Sequence, residues 1–313
     1  MKHIFVVNTH AGKAKAKEEL DALLVGFDLE HVIYYTKGPK DATEYVRAKC
    51  EEEPGAQLRF YACGGDGTIK EVAEGVYGHD NADLTVVPLG SGNDFVKYYG
   101  GAENFLDLRK LAAAPSDYID LIKVNDHLCI NVCNFGFESY VAKTMNDVRH
   151  KKFIGGKNSY TTGILKGLIF AMKNNARITV DGEILCEGDY LLCSVANGRY
   201  VGGAYMCAPR ALNDDGLLEV CSVDVVSRFS VPKLIKVYKD GGHLDDPSFK
   251  NIINYKQGKR VEVHFDKEMT IALDGELVDV RDFVCEAIPR AVRFAAVNIG
   301  ESSRCECEKC MQA

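Results

Sequence analysis

No stretch of this sequence approaches the roughly 18 consecutive apolar residues that a membrane-spanning helix needs. The apolar residues, 46% of 313, are cut into short runs instead. A helical membrane span is therefore not expected. Positive charge is also scarce: 38 Lys and Arg face 45 Asp and Glu, a net charge of −7. That argues against nucleic acid as a partner, since phosphate backbones reward clustered cations, while a local basic face toward an anionic membrane stays open. An internal repeat and a Pro-, Gly- or Ser-rich linker are missing too. The opening "MKHIFVVN" turns polar too soon for a secretory leader. The expectation is a cytosolic chain whose twelve cysteines are reduced thiols, many inside apolar runs such as "LCINVC" and "LLCSVA".

The first third alternates between two periodicities. "HIFVVN" reads as a buried strand, and "EHVIYYT", "RFYAC" and "LTVVPLG" as strands. "KAKEELDALLVGF", "KDATEYVRAKCEEE", "IKEVAEGVY", "NDFVKYYG" and "FLDLRKLAAA" read as the helices that follow them. Such alternation implies crossover connections and a mainly parallel sheet covered on both faces. Around Ser116 the pattern changes. "YIDLIKV-ND-HLCINVCNFGF" is a hairpin signal. "RITVDGEILCEGDYLLCSVANG", "LLEVCSVDVV", "VEVHF", "MTIALDGELV" and "DFVCEAIP" are strands joined by Gly, Asp and Asn turns. Three helical stretches interrupt them, "SYVAKTMNDVRH", "YTTGILKGLIFAMKN" and "VPKLIKVYKDG". The expected fold is an α/β N-terminal domain, about residues 1–122, followed by a β-rich antiparallel sandwich-like domain, about 123–290. With no linker between them, the two are expected to pack closely around an active cleft.

Three turns after strands of the first domain share one plan: "NTHAGKAK", "CGGDGTIK" and "PLGSGNDF" each lead from a strand through small or polar residues into a helix. Glycine permits close approach of backbone to ligand, and a helix start offers unpaired N–H groups. In a parallel sheet such turns gather at the carboxyl ends of the strands, where ligands bind. The edge is therefore expected to bind a polyphosphate. Asp66, in the middle turn, would be repelled by phosphate unless a cation intervenes. Mg²⁺ keeps several waters and takes one or two carboxylates plus phosphates, so Asp66 is read as a direct or water-mediated partner of nucleotide-bound Mg²⁺. Asp94 and Asp120 stand as outer-shell candidates, Asp120 reading equally well as a structural carboxylate.

At these residues the chain resembles the diacylglycerol kinase catalytic-domain family, in particular its soluble bacterial lipid kinases. "GGDGT" at Gly64–Thr68 matches the family's nucleotide motif, "PLGSGNDF" its PxGTxNDF element and "NTHAGK" its NPxSGK opening. In the second half, "NGRYVGGAYMCAPRALNDDGLLEV" looks like the NGxxxGGG…DDGLL segment and "LDGE" like the DGE motif. Thr9, His10-Ala11, Lys70 and Ser91 depart from the pattern without touching its carboxylates. The GGDG motif also occurs in NAD kinases, which lack the PxGTxNDF and DDGLL elements.

The resemblance implies transfer of the ATP γ-phosphoryl group to a lipid hydroxyl with Mg²⁺, at the inner face of the membrane. It implies Asp274 as the base that takes the hydroxyl proton, although an Asp-Gly hairpin turn would need no function. It implies nucleotide contacts at Asn8, Thr9, His10, Ala11 and Gly12, at Thr36, at Gly64, Gly65, Asp66, Gly67, Thr68, Ile69 and Lys70, and at Ser91. It also implies a structural Mg²⁺ on the Asp215 side chain and the carbonyls of Leu212 and Leu217. The strand-like "AVRFAAVNIG" would return the chain end, about 291–313, to the first domain, and a homodimer would fit. Chemistry then depends on Asp66 and Asp274 meeting across one cleft.

Other segments read either way. "SYTTGILKGLIFAMKNNAR" suits a core-packing helix or a membrane-facing one. "VRHKKFIGGK" suits a solvated loop or a contact for anionic headgroups. The tail thiols Cys305, Cys307 and Cys310 lack a nearby fourth ligand, so a reduced tail is expected rather than a metal site. The competing functions are a kinase of NAD-kinase type with a soluble substrate, and a nucleotide-binding regulator without catalysis; intact Asp66 and Asp274 argue against the latter.

Overall fold

The computed structural model describes residues 1–11, 15–148 and 159–299. Gly12, the 149–157 part of the basic segment and the three tail cysteines lie outside the described residues. The chain divides into two compact units, residues 1–121 with 212–215 and 288–313, and residues 122–211 with 216–287.

In the first unit, strands and helices alternate as β1 (Lys2–Val7), α1 (Ala16–Leu23), β2 (His31–Tyr35), α2 (Asp41–Glu52), β3 (Leu58–Gly64), α3 (Asp66–Val76), β4 (Ala82–Pro88), α4 (Asp94–Lys97) and α5 (Leu108–Ala113). The strands are parallel in the order β4-β3-β1-β2. β3 and β4 are buried along their whole length, as expected of strands covered on both faces. Phe5 of β1 stacks on Tyr61 of β3 with ring centroids 4.2 Å apart. Arg59 and Asp83 form a buried bidentate pair, Nε and Nη2 each donating over 2.8 Å. The remaining guanidinium nitrogen donates to the carbonyls of Leu111 and Ala114, so the pair also fastens the end of α5.

The chain leaves this unit within β5 (Ser116–Val124). The second unit continues with β6 (His127–Cys129), β7 (Val132–Gly136), α6 (Phe137–Val148), α7 (Ser159–Phe170), β8 (Asn174–Val180), β9 (Glu183–Ala196), β10 (Tyr200–Val201), β11 (Tyr205–Met206), β12 (Leu218–Asp224), α8 (Val231–Lys239), β13 (Ile253–Gly258), β14 (Arg260–Leu273) and β15 (Glu276–Ala295). Pairing here is antiparallel. β9 and β14 are each 14 residues long, and both pair with β7 and with β8. That four-strand circuit carries a core including Phe135, Ile178, Cys193, Phe265 and Phe283. A second core packs α6 and α8 onto the sheet through Phe137, Val141, Leu191, Leu234 and Tyr238. The last residues of β15 return to the first unit, where Phe294 pairs parallel with Leu84 of β4.

The fold class is the one the sequence predicts. Several details differ. α3 begins at Asp66 rather than Ile69, because an Asp at a helix start is favourable and Gly67 costs little in a first turn. "VEVHF" and "MTIAL" are one strand with an irregularity between His264 and Met269. β13 has no counterpart among the expected strands: it pairs with β12 alone, and four half-buried positions give it little contrast to read.

Candidate active site

The loops at the carboxyl edge of the parallel sheet are tied to one another by backbone bonds. Asn8 N–H donates to the Cys63 carbonyl at 3.0 Å, Thr36 N–H to Val7 at 2.9 Å and Leu89 N–H to Gly64 at 2.9 Å. The Asn8 side chain accepts from His10 N–H at 3.0 Å and donates to the Thr68 hydroxyl at 3.1 Å. Two glycines are required by contact. A Cβ on Gly90 would lie 2.4 Å from the Gly65 Cα, and one on Gly64 would lie 2.2 Å from the Thr68 hydroxyl. Gly67 is exposed, with nothing within 4 Å of where its Cβ would stand, so the first turn of α3 has open space over it.

Asp66 is the first residue of α3 and its Oδ1 accepts the Phe95 N–H at 3.0 Å. The acidic residue of one glycine loop thereby holds the start of α4 behind another. Asn93, just before α4, has φ +50° and donates from its amide to the Gly90 carbonyl at 3.0 Å. Its Oδ1 is buried and has no hydrogen-bond partner among the described residues. Sequence reasoning passed over Asn93; an Asn between Gly and a helix start is the signal for left-handed backbone that would have found it. Asp94 is buried with Lys97 Nζ 2.5 Å from its Oδ1.

Burial sorts the expected nucleotide residues. His10, Gly67 and Ser91 are exposed, and Asn8, Thr9, Ala11, Thr36, Gly65 and Asp66 are half-buried. Gly64, Thr68, Ile69 and Lys70 are buried. Ile69 belongs to the core, and the Lys70 ammonium lies 4.0 Å from Glu74 one turn along α3. Asp120 is buried against the 212–215 turn: its N–H donates to the Asn213 carbonyl at 2.7 Å, and its Oδ1 accepts the Arg290 N–H at 2.7 Å. These bonds give it a structural place. Asn213 is buried, with its side chain on the Tyr99 hydroxyl at 2.8 Å, whereas Asp214 and Asp215 are exposed and Leu212 and Leu217 half-buried. Among the described residues no group of three or more His, Cys, Asp or Glu side chains is placed to hold a metal. A site of one carboxylate and two carbonyls is of a different kind.

In the second unit, Asp274 and Gly275 form the two-residue turn between β14 and β15, both with positive φ, as a tight hairpin of this type requires. The Asp274 carboxylate accepts three backbone N–H groups: Ile130 at 2.7 Å on Oδ2, and Asn131 at 3.0 Å and Val132 at 2.9 Å on Oδ1. Its own N–H donates to the Val132 carbonyl at 3.0 Å. Asn131 in turn accepts the N–H groups of Asn197 and Gly198 on its carbonyl. The "LDGE" and "VANGRY" segments are thus joined through residues 130–132. Burial, with the Asp274 charge beside it, pushes the Cys129 thiol well above its usual range. The nine described cysteines are all free and buried.

Comparison with known proteins gives a consistent picture. Residues 2–124 match the family described as diacylglycerol kinase catalytic domain. Residues 131–296 match the YegS C-terminal NAD kinase beta sandwich-like domain. A protein of Pseudomonas fluorescens named "Probable lipid kinase YegS-like" is 30% identical, over 90% of this chain and 92% of its own. One of the same name from Alcanivorax borkumensis is 28% identical over 81% and 83%. Among solved structures, a diacylglycerol kinase of Bacillus anthracis superposes with a TM-score of 0.68 at 22% identity, over 94% of this chain and 96% of that one. At that identity the likeness is one of fold.

Proposed function

The chain belongs to the YegS-like lipid kinases, and on that premise we propose that it transfers the γ-phosphoryl group of ATP, with Mg²⁺, to the hydroxyl of a lipid at a membrane surface. The observation that carries the nucleotide half is the fixed carboxylate of Asp66 at the start of α3, tied to Phe95 N–H and followed by the exposed Gly67. The residues fit a hydrated divalent cation and a polyphosphate. Asp66 supplies a hard anionic oxygen. The buried Asn93 Oδ1 lacks a donor that a water could supply. The exposed Gly67 backbone and Ser91 hydroxyl would meet phosphate oxygens. Bound there, Mg²⁺ would neutralise charge on the phosphates. Both the Ile69 and Lys70 side chains are buried and the Ile69 N–H already donates to the Gly65 carbonyl at 3.1 Å, so these two would serve the nucleotide through the turn they shape.

Asp274 would take the proton of the acceptor hydroxyl. Three backbone donors already hold its carboxylate, out of about four lone-pair positions. They would aim it, and by stabilising the ionised form they would make it a weaker base than a free carboxylate. The turn carrying Asp215, Leu212 and Leu217 would hold a second, structural cation. Its mark would be a rise in melting temperature with Mg²⁺ or Ca²⁺ that disappears in Asp215→Asn.

The deciding experiment offers γ-labelled ATP to the protein with diacylglycerol, phosphatidylglycerol, a sphingoid base or NAD. Label in one of the lipids is the expected result. Label in NAD alone would establish the soluble-substrate alternative, and ATP binding with no labelled product would make the protein a regulator.

A further inference from the structure

Three large apolar side chains stand out of the second unit together. Phe229 is 95% exposed, Phe170 69% and Ile169 60%. The two segments that carry them touch: Arg228 Nη2 donates to the Ile169 carbonyl at 3.4 Å. Neither segment is loosely attached. α7 turns a glycine face inward, where a Cβ on Gly163 would lie 3.0 Å from Val141 and one on Gly167 would lie 2.8 Å from Phe137. Lys166, Ile169 and Phe170 are exposed, and their i, i+3, i+4 spacing puts them on one face of the helix. The turn bearing Phe229 is closed by Ser230 N–H on the Ser227 carbonyl at 2.8 Å. It runs into α8, which buries Val231, Leu234 and Tyr238. The exposure is built into the fold, although water penalises it.

The two segments that carry these side chains hold charge of one sign. Residues 159–173 and 225–239 hold Lys166, Lys173, Arg228, Lys233, Lys236 and Lys239 and no Asp or Glu, in a chain of net charge −7. Lys173 is paired with Asp189, and Lys233 reaches the Ser248 hydroxyl. Apolar side chains ringed by cations match a surface with anionic headgroups over an acyl layer. A second copy of the chain fits worse, because a two-fold contact would set these cations against their own images.

We propose that Phe229, Phe170 and Ile169, flanked by Arg228 and Lys166, dock the protein on an anionic phospholipid bilayer. The proposal deepens the lipid-kinase reading and rests on it for its purpose. The aromatic side chains enter the boundary between headgroups and acyl chains while the cations meet lipid phosphate. Its test is binding of the full chain to vesicles of phosphatidylglycerol in phosphatidylcholine, by sedimentation, beside vesicles of phosphatidylcholine alone. The expected result is stronger binding to the anionic vesicles. Phe229→Ala should weaken it about tenfold, and the Phe229→Ala/Phe170→Ala pair more. Arg228→Glu should steepen the loss at low salt. Unchanged melting temperatures would show that the variants are folded. Wild-type binding by the double variant would overturn the proposal, as would absence of binding by the parent protein. A concentration-dependent dimer that the substitutions dissociate, with vesicle binding intact, would assign the surface to a second copy. Vesicle binding needs neither ATP nor turnover, so failure of the acceptor panel would leave this result standing, and the reverse holds.

Discussion

The backbone N–H of Phe95 donates to Oδ1 of Asp66 at 3.0 Å, so the acid that opens α3 also caps α4 from another loop. Two roles meet in one side chain, and substitution separates them. Asp66→Asn keeps an oxygen for Phe95 and should fold with stability within about 0.5 kcal/mol of the parent, whereas Asp66→Ala should lose about 1 kcal/mol, the usual worth of a cap. If Asp66 partners Mg²⁺, both should lose about 10²-fold or more in turnover. Paired melting curves and initial rates check this. Equal melting of the two variants would remove the cap, and an active Asn variant would remove the metal role.

Asp274 calls for a different expectation. From its motif alone, Asp274→Asn would be a silent change in fold and a severe one in rate. With three backbone N–H groups on the carboxylate, an Asn must turn its NH₂ toward at least one of them. The variant should lose about 1–3 kcal/mol, the cost of a donor left unsatisfied. The left-handed backbone at φ +50° adds nothing, since Asn tolerates it. Turnover should fall about 10²–10⁴-fold as for a positioned base. Should Asp66 and Asp274 serve one phosphoryl transfer, the double variant would be no slower than the worse single one. Multiplying losses would place them in separate steps.

How much of this was readable in advance follows from what each signal depends on. The strand and helix order of the first unit was legible because β1, β3 and β4 are almost wholly buried, while the half-buried edge strand β2 keeps a β-branched and aromatic run. Glycine spacing pointed to Asp66, because a turn of that shape constrains local backbone. The burial of Lys70 against Glu74 was not legible, since it depends on which side of α3 faces the core at its first turn. Nor was the grip on Asp274: its donors, Ile130 to Val132, lie more than 140 residues away, and backbone amides leave no trace in residue type. The edge strand β13 and the single long β15 escaped for a related reason, as neither alternates cleanly between apolar and polar positions.

The buried pair of the first unit gives a stability prediction independent of function. Arg59→Met removes both bonds to Asp83 and the donors to Leu111 and Ala114. An unpaired carboxylate would be left at 2% exposure. The loss should be about 3–5 kcal/mol. Arg59→Met with Asp83→Leu should recover part of it, since two apolar groups need no partners. Urea unfolding of the parent and the two variants measures both quantities, and a double variant less stable than Arg59→Met would contradict this account.

Glu138, in the first turn of α6, links stability to pH. Desolvation pushes its carboxyl up from 4.5 to about 7, against hydrogen bonds from Tyr238, Ser194 and Asn134 that favour the charged form. The native state therefore keeps a proton that the unfolded chain releases near pH 4.5. The stability this contributes is complete below pH 4.5 and is lost as pH rises through 7. Its size is on the order of 2 kcal/mol, discounted because the residue is only partly buried. His243, its ring centroid 4.5 Å from that of Tyr238 and tilted 42° to it, runs the other way. Burial lowers it from 6.5 to about 4, so its contribution is complete above pH 6.5 and is lost as pH falls through 4. The two slopes oppose each other between pH 4.5 and 6.5 in the parent protein. Glu138→Gln removes the falling one. Relative to the parent, that variant should gain stability from pH 5 to about pH 7 and level off above it, measured by urea unfolding at each pH. A difference that stays constant across this range would mean that Glu138 is already ionised in the native state.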